Sequence, residues 1–179
     1  RHVMRTPAEN LVPVTLELGG KAPCIVARGS DLALAAAKFA RGKTMNAGQV
    51  CMAPDFAYVH REDKERFVAE VKAAMQRMHP QYANGPDYTH IHLERQRRHL
   101  AALARDAVEH GARVEVLDGS AVAELGKSDR FPPVLVVDPP LDSGVMREEV
   151  FGPVLPVISY DTLEGVVGHY VDVLVLGLS

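Results

Sequence analysis

The run Val134-Leu-Val-Val-Asp138, VLVVD, is apolar at its first four positions and stops at a Pro-Pro turn. An apolar run of this length is typical of a strand that is buried on both faces of a sheet. Similar runs occur at 56–60, FAYVH, and at 154–160, VLPVISY, and helical patterns lie between them. Short Val-rich strands that alternate with helices predict an α/β fold, with a mainly parallel sheet covered by helices.

Further strands are predicted on either side of this centre. Residues 24–27 follow Pro23, and RVEVL at 113–117 precedes the central run. The last residues, VDVLVLGLS at 171–179, are also strand-like. The segment LVPVTLEL at 11–18 predicts a strand that ends at two glycines, because its alternating apolar residues share one face, namely Val12, Val14, Leu16 and Leu18.

Three helices are predicted from apolar spacing and capping residues. Ser30 or Asp31 can cap a helix that ends near Gly42 or continues toward Asn46, since either side chain can accept from free backbone amides. Asp63 can cap the second helix, and the third spans about 93–110 with Gly111 as its C-cap. The inward-facing residues are predicted to be Phe67, Val71, Ala74, Met75 and Met78 in the second helix and Leu100, Leu103 and Ala107 in the third.

The composition indicates one globular unit and excludes several partners. The chain has 179 residues, of which 47% are hydrophobic, and a net charge of -3. This charge provides no general attraction to nucleic acid or to an acidic membrane surface. The apolar runs are too short to span a bilayer. Without a signal peptide, the chain is predicted to be cytoplasmic, with Cys24 and Cys51 both reduced.

Metal and nucleotide signatures are weak. His90, His92 and His99 could form a metal cluster, but no cysteine or carboxylate completes a ligand pattern. Surface histidines beside an Arg-rich helix are the preferred interpretation, so no metal is predicted. The segment before and including Lys21, LGGK, lacks the spacing of a phosphate loop, and the sequence contains no GxGxxG motif.

Cys51 and Glu17 are the candidates for chemistry. Cys51 lies in NAGQVCMAPD, residues 46–55, between a Gly-Gln turn signal and an Ala-Pro breaker, where a substrate could reach the thiol. A nucleophile and a structural thiol are equally good interpretations at this point. Glu17 is an acid inside the predicted strand, so it points into a polar cleft or faces water at a sheet edge. Near Cys51, it could act as a general base for water.

Three motifs together resemble the aldehyde dehydrogenase superfamily. They are LELGGK at 16–21, NAGQVC at 46–51 followed by APDF, and EEVFGPV at 148–154. Their order and spacing carry the resemblance from about residue 3 to about residue 164. APDF and VLPVISY are most similar to the class 3 branch, which includes the coniferyl aldehyde dehydrogenases.

This resemblance implies a role for each matching residue. Cys51 matches the nucleophile that forms a thiohemiacetal and then a thioester, and Glu17 matches the general base. Glu149 matches the acid that binds the nicotinamide ribose, Phe151 the aromatic residue beside the nicotinamide, and Leu18 the residue whose backbone contacts the carboxamide. The implied cofactor is NAD or NADP. The implied partners are a small-molecule aldehyde and further copies of the chain in a homo-oligomer.

The resemblance also implies that residues 1–179 are a partial catalytic domain, truncated at both ends. The family's N-terminal dinucleotide-binding domain has no counterpart here, so binding of NAD or NADP and turnover are expected to be impaired. Two alternatives to NAD(P)-dependent aldehyde oxidation follow. The chain is a folded, non-catalytic remnant that self-associates through exposed sheet edges, or it is a residual thiol esterase.

Overall fold

The computed structural model describes residues 2–177, and side-chain surroundings are described for residues 3–170. The helices are α1 (His2–Asn10), α2 (Leu32–Thr44), α3 (Lys64–Met78), α4 (Glu94–Glu109), α5 (Gly144–Arg147) and α6 (Leu163–Gly177). The strands are β1 (Pro23–Val26), β2 (Phe56–His60), β3 (Arg113–Val116), β4 (Val134–Val137) and β5 (Val154–Tyr160). Short 3-10 turns occur at Met45–Gly48 and Val122–Glu124.

The strands form one mixed sheet in the order β1-β2-β5-β4-β3. β1 with β2, β2 with β5, and β5 with β4 are parallel pairs, and β3 alone runs antiparallel, against β4. The central strand β5 pairs Val157 with Ala57 on one side and with Val137 on the other. The predicted mainly parallel α/β sheet is therefore confirmed.

Helices cover both faces of the sheet, as predicted. In β2, Phe56 and Tyr58 pack with buried residues of α4, while Ala57 and Val59 pack with those of α2 and α3. Because side chains alternate along a strand, these two sets lie on opposite faces. The central strands are consequently buried on both sides, which accounts for their continuous apolar sequences.

The predicted helices form, with two differences in detail. Asp31 caps α2, since its Oδ1 accepts from the Leu34 amide at 3.0 Å. Asp63 precedes α3 as predicted, but its side chain makes no capping hydrogen bond. Met78 is 40% exposed at the end of α3, whereas the other four residues predicted for that stripe are buried. The three inward residues of α4 are buried, and Gly111 follows the helix with φ 85°.

The strand predicted at 11–18 is wrong. This segment is irregular, and its predicted inward residues are largely exposed, Leu18 by 80%. A strand needs a neighbour for its backbone hydrogen bonds, and none of the five described strands pairs with these residues. Glu17 therefore lies in an exposed, irregular segment rather than inside a strand.

The carboxy-terminal prediction is also wrong. The residues predicted as a strand from 171 onward continue α6 as far as Gly177. Residues 178 and 179 lie outside the described residues, as do the side chains from 171.

Candidate functional site

Cys51 lies just after a sharp reversal of the backbone that ends α2. Asn46 and Ala47 have positive φ values of 49° and 51°, and Gly48 has φ 72°. The reversal is held by two hydrogen bonds, from Asn46 Nδ2 to the Gln49 carbonyl at 3.1 Å and from Gln49 Nε2 to the Asn46 carbonyl at 3.0 Å. Strained backbone of this kind is costly and is characteristic of functional sites. The result is an exposed Cys51 thiol in a turn.

The reversal packs directly against the turn that follows EEVF. A Cβ on Gly48 would lie 2.3 Å from the Gly152 carbonyl oxygen, so no side chain fits between the two segments. A Cβ on Gly152 would in turn lie 2.5 Å from Leu100 Cδ2. Backbone contact therefore fixes the Cys51 loop relative to Phe151 and Gly152.

Lys21 and Asp55 connect all three motifs of the resemblance. The Lys21 ammonium forms an ion pair with Asp55 Oδ2 and donates to the carbonyls of Val145 at 2.8 Å and Glu148 at 2.9 Å. Asp55 Oδ1 accepts from the Val150 amide at 2.9 Å. The side chains of Lys21 and Asp55 are only 8% and 6% exposed. This network joins the segment after Glu17, the loop after Cys51 and the turn before Phe151.

Sequence reasoning missed this role of Lys21 and Asp55. Both residues belong to motifs of the resemblance, Lys21 to LELGGK and Asp55 to APDF, but neither motif indicates a contact between them. The available signal was their position, since each charged residue lies next to a short apolar strand. Charged residues are seldom buried unless paired, so a charged residue beside a buried strand indicates a partner of opposite charge.

Lys43 is a second buried charge beside this network. It lies in α2 and is 1% exposed. Burial lowers the pKa of Lys43 to about 8, although the nearby Asp55 carboxylate opposes this shift. Within the described residues, its ammonium group makes no hydrogen bond or ion pair. Lys43 therefore adds an unpaired positive charge close to the network of Lys21 and Asp55.

The three predicted cofactor residues lie on the segments that this network joins. Leu18 is exposed, and a Cβ on the adjacent Gly19 would lie 2.5 Å from Glu149 Oε2. Glu149 is half-buried, and its carboxylate makes no hydrogen bond to any residue that the structure describes. Phe151 is 39% exposed and has φ 42°. Gln96 holds this backbone, because its Nε2 donates to the Phe151 carbonyl at 3.1 Å.

These residues fit a nicotinamide nucleoside. The Glu149 carboxylate makes no hydrogen bond to a described residue, so it could accept from sugar hydroxyls. Because Gly19 has no side chain, it does not clash with this carboxylate, and Phe151 presents a partly exposed aromatic ring. Glu17 and Cys51 are both exposed, and no hydrogen bond joins them. The two predicted catalytic residues are thus exposed residues on segments that the network of Lys21 and Asp55 connects.

The three histidines do not form a metal site. His90 Nδ1 lies 2.8 Å from Asp129 Oδ2, the His90 and His92 rings stack, and His99 lies 3.7 Å from Glu148. No group of three or more potential metal ligands occurs in the described part of the chain. Cys24 and Cys51 are both free thiols. None of the described helices is long and apolar enough to cross a membrane.

Comparison with known sequences identifies the class of protein. Residues 1–172 match the model of the aldehyde dehydrogenase family. The chain therefore belongs to the aldehyde dehydrogenase family. A probable coniferyl aldehyde dehydrogenase of Caulobacter vibrioides is 47% identical over 171 residues, which cover 94% of this chain and 35% of that relative.

Solved structures agree with this assignment. Staphylococcus aureus AldH, in a substrate-bound state, is 30% identical with a TM-score of 0.82, covering 96% of this chain and 36% of that one. The NADP-dependent glyceraldehyde-3-phosphate dehydrogenase of Bacillus halodurans, complexed with NADP, is 29% identical with a TM-score of 0.72, covering 90% and 33%. The chain thus spans about a third of the length of the relatives it matches.

Proposed function

We propose that this chain carries the thiol chemistry of an NAD(P)-dependent aldehyde dehydrogenase, which oxidises an aldehyde to a carboxylic acid. The observation that supports this most is the network of Lys21 and Asp55. It gathers the segments of Glu17, Cys51 and Glu149 around one buried ion pair. The first substrate to test is coniferyl aldehyde, because the Caulobacter vibrioides relative is a probable coniferyl aldehyde dehydrogenase.

Cys51 is the nucleophile in this proposal. Its thiolate attacks the carbonyl carbon of the aldehyde and forms a thiohemiacetal, which becomes a thioester when hydride leaves. The Cys51 backbone amide makes no hydrogen bond to a described carbonyl, so it is available to the oxyanion. Glu17 then takes a proton from water, and the hydroxide attacks the thioester to release the acid and the thiolate.

Leu18, Glu149 and Phe151 would hold the nicotinamide end of NAD or NADP. Glu149 would accept from the ribose hydroxyls, the Leu18 backbone would bind the carboxamide, and the Phe151 ring would pack beside the nicotinamide. The cofactor, when bound, supplies the acceptor for the hydride. The relative that is complexed with NADP supports a nicotinamide cofactor for the family in general.

The proposal includes the setting in which the chain works. In this proposal, residues 1–179 form part of a catalytic domain and do not include the dinucleotide-binding domain, which is consistent with their covering 35% of the length of a matching relative. The functional form is a homo-oligomer. It works in the cytoplasm, since a catalytic thiol has to remain reduced. Its partner is a small-molecule aldehyde, and neither nucleic acid nor a membrane takes part.

The test separates the thiol chemistry from the oxidation. p-Nitrophenyl acetate is expected to acylate Cys51 in the purified chain, as detected by intact mass and peptide mapping. Cys51→Ser should abolish the acyl adduct, and Glu17→Gln should make it persist. Aldehyde-dependent reduction of NAD or NADP, followed by absorbance, then tests the full reaction.

A folded chain that is not acylated at Cys51 would overturn the proposal and favour a non-catalytic remnant. Acylation with turnover of ester but not of aldehyde would favour the thiol esterase, and it would overturn oxidation by this chain. The intact fold is checked in each case by circular dichroism.

A further inference from the structure

Residues 11–18 form a largely exposed arm ahead of the buried Lys21. Val12, Leu16 and Leu18 are 55%, 46% and 80% exposed. The backbone groups of residues 13–18 make no hydrogen bond to a described residue. The sequence nevertheless alternates as in a strand, with apolar side chains at every second position. The arm therefore has the pattern of a strand but no neighbouring strand among the described residues.

The free edge of β1 is the second unpaired feature. β1 is an outer strand of the sheet, and β2 is its only neighbour among the described strands. The Ala22 carbonyl faces β2, since it accepts from the Asp55 amide at 2.9 Å. Successive residues of a strand direct their backbone N–H and C=O groups to opposite sides, so those of Ile25 face away from β2. An outer strand of this kind can accept an additional strand.

A groove lies beside this edge, between β1 and α2, with a volume of about 370 Å³. Five of its eight lining residues are apolar, namely Ile25, Val26, Leu34, Ala35 and Phe39. Ile25 and Leu34 are 51% and 55% exposed. A strand added to β1 would place alternate side chains against α2, in this groove. The arm carries apolar side chains at that spacing, at Val12, Val14 and Leu16.

The arm leaves its own β1 toward the other side of the sheet. Gly19 packs against Glu149, since a Cβ on Gly19 would lie 2.5 Å from Glu149 Oε2. Glu149 precedes β5, which lies on the far side of β2 from β1. Lys21 is fixed between them by its ion pair with Asp55. To reach the free edge of its own β1, the arm would have to give up the contact between Gly19 and Glu149.

We propose that the arm pairs with the free edge of β1 in a second copy of this chain, whose own arm pairs in return. Val14 and Leu16 direct their backbone groups to β1, and Pro13 and Thr15 face outward. Because proline has no N–H to donate, Pro13 then lies where none is needed. A two-fold axis forms both pairings at once. The inference rests on the homo-oligomer of the proposed function and specifies its interface, while residues 17–21 stay at their own site.

Light scattering after size-exclusion chromatography, at several protein concentrations, measures the oligomeric state of the full chain. A concentration-dependent dimer is expected. Val14→Pro removes the amide that faces β1 in each arm and should raise the dissociation constant of the dimer about tenfold. Thr15→Pro is the matched control, because its amide faces outward, and it should leave that constant unchanged. Leu34→Asp, in the groove, should also weaken the dimer, whereas Leu93→Asp, at a residue 61% exposed outside the groove, should not.

A photoreactive p-benzoylphenylalanine in place of Leu16 identifies the contact. In a mixture of isotope-labelled and unlabelled chains, its cross-link to β1 or α2 should yield peptides that combine the two labels. A monomer at every soluble concentration would overturn the proposal, as would equal effects of the two proline variants or cross-links confined to one chain. Circular dichroism verifies the fold of each variant. Acylation of Cys51 in the same samples tests the thiol chemistry separately, so failure of the interface and failure of the proposed function are distinguishable.

Discussion

Lys21 and Asp55 form an ion pair that is almost completely removed from solvent, and both partners also bond to the segment 145–150. Lys21 lies after the irregular segment of Glu17, and Asp55 lies four residues after Cys51. The pair is therefore the point at which the candidate catalytic and cofactor segments are attached to one another. The three sequence motifs are parts of one structural unit.

Removing the Asp55 charge should destabilise the fold strongly. Asp55→Asn leaves the Lys21 ammonium buried without its counter-charge, and breaking a buried pair in this way typically costs about 3–5 kcal/mol. Glu62→Gln is the control, because Glu62 and Arg28 form an ion pair with side chains 68% and 67% exposed. An exposed pair contributes about 0–1 kcal/mol. Urea unfolding of both variants measures the difference, and equal losses would contradict the structural role of the buried pair.

A methyl group at position 48 should displace the Cys51 loop. Gly48→Ala adds a Cβ that would lie 2.3 Å from the Gly152 carbonyl oxygen, at a backbone φ of 72°. Gly119→Ala is a matched control, since Gly119 has φ 76° and nothing within 4 Å of its added Cβ. Both variants carry the cost of positive φ, but Gly48→Ala should lose about 1–3 kcal/mol more through overpacking.

Thermal or urea unfolding compares the two glycine variants, and acylation of Cys51 reports on the loop itself. Gly48→Ala should slow acylation, whereas Gly119→Ala should leave its rate unchanged. Equal stability of the two variants would show that the backbone contact between residues 48 and 152 gives way without cost.

The stability of the protein should depend on the protonation of Lys43. Its pKa is lowered to about 8 in the folded state, from an ordinary value of 10.5. Between these values, the folded state has released the proton that the unfolded chain still holds, so this group makes stability rise with pH. Below pH 8, the folded state carries the full cost of burying the charge.

Lys43→Met removes that cost and should be more stable than the parent at neutral pH by about 2–3 kcal/mol. The advantage should shrink as the pH rises from 8 toward 10. Lys38→Met, at an exposed position of the same helix, should show no such pH-dependent difference. Chemical unfolding at several pH values gives the comparison, and a constant advantage for Lys43→Met would refute the lowered pKa.

The two thiols should differ in reactivity toward iodoacetamide. Cys51 is exposed, whereas Cys24 is half-buried in β1 and burial raises the pKa of its thiol. Since the thiolate is the reacting form, Cys51 should be alkylated at least several times faster at neutral pH. Peptide mapping at short times measures both rates, and Cys51→Ser isolates the slow reaction of Cys24. Faster labelling of Cys24 would disprove the exposure difference.

The central fold was predictable because its strands carry their own signal. FAYVH, VLVVD and VLPVISY are apolar on both faces, so burial decides their conformation before any partner is known. The segment at 11–18 has an equally clear alternation, but strand formation there required a neighbour that the described residues do not supply. Helix α1 is not among the predicted helices. Pro7 lies inside it, and a proline normally indicates the end of a helix.

The candidate site was predictable only through the resemblance of its motifs. Cys51 stood out because of the turn signals around it, and Glu17 because it is an acid among apolar residues. The roles of Lys21, Lys43 and Gln96 depend on contacts between residues far apart in the sequence. Such contacts leave no periodic pattern, so local sequence reasoning could not find them.

The contact between Gly48 and Gly152 has a consequence for engineering this scaffold. Gly152 is confined on two sides, by the Gly48 backbone and by the Leu100 side chain. A library that randomises either glycine alone would sample almost only misfitting loops, because a Cβ at 48 would meet the Gly152 backbone and a Cβ at 152 would meet the Leu100 side chain. Variation there has to be paired, with smaller residues at position 100 accompanying any side chain at 152. The loop of Cys51 and the loop of Phe151 thus form a single module, and both loops would have to be transferred together to another scaffold.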